Sequence, residues 1–184
     1  MNASYRASIT DKEIATAKDI LAKLEPGFLP SDIFLEAARL VTLSVVEVVP
    51  LRKRHSTVEV LLTRREANDP HFPNMLHTPG TIVRPTDEEG SHASAFHRIL
   101  SNELASVGLS GEPQYVQSVL HKSKRGMENA QIFFVEVIGE PVKGAFYRAE
   151  QLPDTIIDSQ IGFIQAAVHA FRMQGETVAK NSHN

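Results

Sequence analysis

Residues 75–83 read MLHTPGTIV, and residues 84–108 continue as RPTDEEGSHASAFHRILSNELASVG. A short apolar run broken by Pro79 and Gly80 leads into the acidic loop Asp87-Glu88-Glu89 and then into a segment of helical spacing from Ser91 to Ser106. At ~100° per residue with Phe96 as origin, Val107 falls at ~20°, Leu100 at ~40° and Leu104 at ~80°, which predicts the buried face. Glu103 falls at about −20°, inside that arc, whereas Arg98 and Ser101 fall on the opposite, polar side. A carboxylate aimed into a core must be paired, protonated or metal-bound. Two readings of Glu103 stand: an edge acid paired with an arginine, or an acid that binds a ligand.

Upstream, LVTLSVVEVV (residues 40–49) and STVEVLLTR (residues 56–64) are rich in β-branched residues and read as a hairpin around the basic turn Arg52-Lys53-Arg54. The loop EANDPHFPN joins them to the 75–83 run. The N-terminus carries two helices. Thr10 and Glu13 form a capping box ahead of Ile14, Ala17, Leu21 and Leu24, and Pro26-Gly27 stops that helix. A second helix starts after Pro30, with Ser31 as its N-cap, and passes through Phe34 and Ala38. Downstream, strands are expected at Gln114–His121 and Ala130–Ile138, joined by the basic loop Lys122–Gly126. A last helix covers Ser159–Met173, ahead of a polar, frayed tail at Ala179–Asn184. Strands alternating with helices imply an α/β or α+β domain.

Composition narrows the function classes. The 184 residues carry 19 Lys and Arg against 22 Asp and Glu, a net charge of −3, so no basic footprint favours nucleic acid. With no cysteine, a disulfide framework, a cysteine zinc site and a thiol nucleophile are excluded. The N-terminus lacks an apolar signal core, and the run Leu40–Leu51 is broken by Thr42, Ser44 and Glu47, well short of a membrane span. A cytoplasmic protein is the expectation.

The order of these features resembles the Nudix hydrolase superfamily, whose box is written G-x5-E-x7-R-E-U-x-E-E-x-G-U. Thr78-Pro79-Gly80 matches the Pro-Gly entry to that loop–helix–loop, and Val60–Arg65 looks like the strand before it. AFYRAEQLPDTIID followed by IGFIQAAVHAF is similar to the last loop and helix of the family. The likeness spans residues 38–175, which leaves 1–37 as an N-terminal helical extension and 176–184 as a polar tail. It implies a Nudix-type α/β/α sandwich with a mixed sheet, preceded by N-terminal helices. With Arg98 as the motif arginine, the motif glutamates fall on Ile99, Asn102 and Glu103, so one carboxylate survives. Anchoring on Gly108 instead places Asn102, Ala105 and Ser106 there, and a third register makes Glu103 the first glutamate. The first register is preferred because it keeps Arg98 and Glu103 and agrees with the inward arc. Ala95–Leu104 and Leu29–Val49 are also similar to the GDP-mannose mannosyl hydrolase branch. That branch has Pro-Gly-Gly-Arg where Pro79-Gly80-Thr81-Ile82 stands here, and a Gln-His pair where Val142-Lys143 stands.

The resemblance implies a hydrolase-like protein acting on a nucleoside diphosphate linked to another moiety such as a sugar. It also implies Mg²⁺ or Mn²⁺ held by Glu103, the Gly80 carbonyl and Glu128 recruited from a late loop, with Glu103 the catalytic residue by virtue of holding the metal. Arg65, Arg84 and Arg98 are the candidates for phosphate. Bland readings stand beside these: Arg65 as an edge charge, Lys122, Lys124 and Arg125 as a solvated turn, Glu128 as an exposed loop acid. His77, His92 and His97 read as surface or core histidines. Asp87, Glu88 or Glu89 can stand in for the leading glutamate, or serve only the helix dipole. Loss of the leading glutamates keeps open a catalytically silent binding module. The apolar N-terminal helix suggests a homodimer, and neither a membrane nor a specific nucleic-acid sequence is expected as a partner.

Overall fold

The computed structural model describes residues 9–181. Its elements run α1 (Asp11–Leu21), α2 (Ser31–Leu40), β1 (Leu43–Arg54), β2 (Thr57–Arg64), β3 (Leu76–His77), β4 (Gly80–Ile82) and α3 (Ala93–Glu103). They continue with β5 (Gly108–Leu109), β6 (Gln114–Lys122), β7 (Met127–Ile138), β8 (Ala145–Arg148) and α4 (Asp158–Asn181). The strands form one eight-stranded mixed sheet. β1 and β7 run parallel at its centre, and β2, β4, β5, β6 and β8 join them antiparallel.

Both faces of the sheet are covered, so the central strands bury consecutive residues rather than alternate ones. In β1 every position from Val45 to Leu51 is buried. Val49, Leu51, Val60 and Ile132 pack under Phe163, Ile164 and Ala167 of α4. Val46, Val48, Leu61 and Val135 pack under Ala95 and Ile99 of α3. These two cores make an α/β/α sandwich of the expected kind, preceded by α1 and α2.

Several boundaries differ from the sequence reading. The capping box of Thr10 and Glu13 is present in full. Ser31, however, is the first helical residue: Pro30 holds the cap position and no side chain caps α2. Arg52–Arg54 belong to β1 rather than to a turn, and the chain reverses at His55-Ser56, with His55 left-handed at φ 58°. α3 ends at Glu103, so Leu104 and Val107 reach the core from the turn after the helix. β7 begins at Met127, three residues before the expected start. Ala145–Arg148, read as loop, is a strand on β2, too short to show a period. α4 continues past Met173 to Asn181; residues 182–184 of the expected tail, and the first eight residues, lie outside the described part. No helix among the described residues is long and apolar enough to cross a membrane.

Candidate functional site

The register of β1 on β4 sets Glu47 opposite Gly80. A Cβ at position 80 would lie 2.5 Å from Glu47 Oε2, so only glycine lets the strand pass the carboxyl. Thr78, fully buried, donates its hydroxyl to Glu47 Oε2 at 3.3 Å and lies in short contact with Gln160 Oε1 of α4. Burial in this place pushes the Glu47 carboxyl up to about 8, against the pull of its hydrogen bonds to Gln160 and Thr78. Glu47 is therefore protonated at neutral pH.

Glu103 reaches the other side of Gly80 from the end of α3. It accepts a hydrogen bond from Thr63 Oγ1 at 3.2 Å and one from the Gly80 N–H, and burial raises its pKa. His77 completes the cluster. Its Nδ1–H donates to the Thr78 carbonyl at 2.7 Å, which leaves the Nε2 lone pair facing Thr63 Oγ1 at 3.2 Å and Glu103 at 3.8 Å. Burial lowers the imidazole to about 4, so it is neutral. Thr63 has one proton to give, to His77 or to Glu103.

Two clefts meet at this cluster and share Arg65, Asp69, His77 and Gly80 as a common wall. The outer cleft is lined also by Thr63, Arg64, Glu103 and Lys143. The inner one is lined also by Glu47, His71, His121, Arg125 and Glu128. Arg65 is held by Asp69 at 2.5 Å, and Asp69 also accepts the His71 and Phe72 N–H groups, which draw its carboxyl down to about 2.

The remaining candidates lie as follows. Arg98 is not on a solvated face: it is clamped by Asp87 and by the Ile82 carbonyl at 3.0 Å, and it lines neither cleft. The loop folds back over the helix there, which a wheel of the helix alone cannot show. Asp87, drawn down to about 2 by Arg98, is the acid of the 87–89 loop that meets the helix. Arg84 also lines neither cleft and stacks over the Phe28 ring at 5.4 Å. Glu128 is 3% exposed, not a loop acid; it accepts from Ser123 Oγ at 2.7 Å and Arg125 Nε at 2.9 Å. Lys124, exposed as expected of a turn, also donates to the His71 carbonyl, and Arg125 is half-buried and paired with Glu128. Glu47, Thr63, Thr78 and Gln160 were not singled out from the sequence. Of these, an acid amid seven successive core positions was the one visible signal.

The donors do not fit a resident divalent cation. Such an ion wants several anionic or carbonyl oxygens free to converge. Here the Glu47 carboxyl is already bonded to Thr78 and Gln160, Glu128 is spent on Arg125, and no three His, Asp or Glu side chains gather to hold a metal among the described residues. Glu103 and Gly80 adjoin in the outer cleft, which Glu128 does not line.

No protein-family model and no curated protein sequence matches the chain. Solved structures do. The NUDIX domain of Shewanella oneidensis NrtR, in complex with ADP ribose, superposes with a TM-score of 0.54 at 17% identity, over 89% of this chain and 99% of that one. A mutT/nudix family protein from Listeria innocua gives 0.54 at 14%, over 73% and 97%. The Ap4A hydrolase of C. elegans gives 0.52 at 13%, over 71% and 98%. At these identities the likeness is one of fold, and with the two-sided sheet, the Pro79-Gly80 loop and α3 in place, this chain has the Nudix fold.

Proposed function

We propose that the chain binds a nucleoside diphosphate derivative in the outer cleft, which Gly80 and Glu103 line, with hydrolysis weak or absent. The observation that carries this reading is the state of α3. The helix offers one carboxylate to the cleft, and that carboxylate is already bonded to Thr63 and the Gly80 N–H. Cleaving a diphosphate needs its oxygens neutralised and a water activated, normally by a cation held on several carboxylates. Binding needs less. Arg64, Arg65 and Lys143 line the same cleft, and guanidinium and ammonium groups form charge-assisted hydrogen bonds to phosphate. Lys143 makes no hydrogen bond or ion pair with the described residues, so its charge is available. The bound ADP ribose of the NrtR domain supports a ligand of this class.

The test is calorimetric titration with ADP-ribose and a nucleotide sugar, in EDTA and then in Mg²⁺ or Mn²⁺, with released products followed by chromatography. Binding in EDTA without turnover is the expected result. Turnover that appears with the cation and vanishes in Glu103→Gln overturns the reading in favour of a metal-dependent hydrolase.

A further inference from the structure

The rows of side chains that the sheet turns toward α4 change character together at one end. In β1, Val49 and Leu51 are followed by Lys53; in β7, Ile132 and Phe134 are followed by Glu136. Alternation along a strand keeps each polar residue on the side of its apolar predecessors. The register agrees: Lys53 lies opposite the core residue Val58, and Glu136 opposite Leu51. α4 does not stop where the apolar rows do. Its buried residues end at Val168, Phe171 is half-buried with its ring centre 5.7 Å from that of Phe134, and the helix continues. Beneath that continuation lies a groove of about 690 Å³, within the ~300–1,000 Å³ range of small-molecule sites. It shares no lining residue with either cleft of the candidate site.

The floor of the groove is apolar and partly aromatic, made by Val58, Phe134 and Phe171. Glu136 stands beside it, half-buried, and makes no hydrogen bond or ion pair with the described residues. The positive charges that border the groove are placed differently. Arg172 is paired with Glu150, and Lys53 is exposed, where water solvates it. A carboxylate partly withdrawn from water gains more from a counter-charge than an exposed ammonium does, so burial decides the sign of the ligand. The aromatic rings decide it the same way, since their faces attract cations. On β6, Gln114 lies opposite Phe134, and its Nε2 donates to the Glu112 carbonyl at 3.0 Å. That bond fixes the amide and leaves its oxygen as a second acceptor at the groove.

We infer that this groove is a separate binding site for an organic ammonium ion, an amine carrying an aromatic or branched apolar body. Glu136 and the Gln114 amide oxygen accept from the amine, and Phe134 and Phe171 hold the body.

Calorimetric titration of the full chain with phenethylammonium, methylammonium and phenylacetate tests this. Phenethylammonium is expected to bind at least about tenfold more tightly than either of the others, because methylammonium lacks the body and phenylacetate has the wrong charge. Glu136→Gln keeps the shape of the side chain and is expected to weaken phenethylammonium about tenfold, the scale of one charge-assisted hydrogen bond. Gln114→Leu, at the exposed start of β6 where folding is not at stake, is expected to weaken it about threefold. No binding of phenethylammonium to the wild type at millimolar concentration overturns the site. Phenylacetate binding as tightly as phenethylammonium overturns it too, as does an affinity for phenethylammonium undiminished in both variants.

Discussion

Replacing Glu47 with glutamine changes the pH dependence of stability in a direction the structure fixes. The Glu47 carboxyl rises from 4.5 to about 8 on burial, and the His77 imidazole falls from 6.5 to about 4. Between those two carboxyl values the unfolded chain has released the proton and the folded chain has kept it, so stability falls as pH rises. For the histidine the unfolded chain binds the proton first, so stability rises with pH up to about 6.5. The two slopes oppose one another from about 4.5 to 6.5, and above that the histidine no longer offsets the carboxyl. At ~1.4 kcal/mol per unit, Glu47 is expected to cost the wild type roughly 2 kcal/mol between pH ~6.5 and ~8. Glu47→Gln keeps the shape and carries no titrating proton, so its profile rises with the histidine and lacks the Glu47 fall. Relative to the wild type it gains roughly 5 kcal/mol across the whole carboxyl window. Urea unfolding followed by circular dichroism at about pH 5, 6.5 and 8 reads this directly. A wild type whose stability holds or rises above pH ~6.5, or a variant that falls in parallel with it, refutes the burial argument.

Gly80→Ala places a methyl 2.5 Å from Glu47 Oε2, and the overpacking is expected to cost ~1–3 kcal/mol in urea unfolding. A neutral result would mean that the carboxyl moves freely. Asp87→Asn and Arg98→Met are each expected to cost about 3 kcal/mol, because each strands a charge that is mostly out of water. The double variant should cost less than the sum, and additivity in the same unfolding assay would show the clamp to be energetically idle. If Glu103 held a resident cation, millimolar Mg²⁺ would raise the wild-type melting temperature through mass action and Glu103→Gln would abolish the rise. The expected outcome is a melting temperature that ignores Mg²⁺ in both proteins without nucleotide.

The sandwich was legible because its two signals are local. The β-branched runs marked the long strands, and Thr78-Pro79-Gly80 ahead of an amphipathic helix marked the order of elements. The inward turn of Glu103 was legible for the same reason, since helical spacing alone places it. Arg98 shows the limit of that method. Spacing locates the face a helix turns to its own core, but it is blind to a loop folding over the opposite face. Asp87 does this eleven positions away and takes Arg98 out of solvent. Glu128 was misplaced because β7 starts earlier than its apolar run. Met127, Glu128 and Asn129 alternate with the sheet but do not look like strand, and Arg125 and Ser123 cover the acid from the turn before it.

Glu47 is the most instructive case. In a half-exposed strand an acid at one position in seven marks the solvent side, and the sequence reading treated it as an interruption. In a strand covered on both faces there is no solvent side, so the acid must be neutralised from within. Its partners, Thr78 and Gln160, lie 31 and 113 positions away, beyond any local pattern. The same rule runs through the site. Glu47 is neutralised by its own proton, Asp69 by Arg65 and Glu128 by Arg125. A cleft built to gather cations would hold such acids uncommitted until the metal arrived. This one has settled them against protons and arginines, which leaves Lys143 and the solvent-facing edges of Arg64 and Arg65 to meet a ligand's negative charge. That arrangement is what the proposed binding of a diphosphate by charge-assisted hydrogen bonds would use.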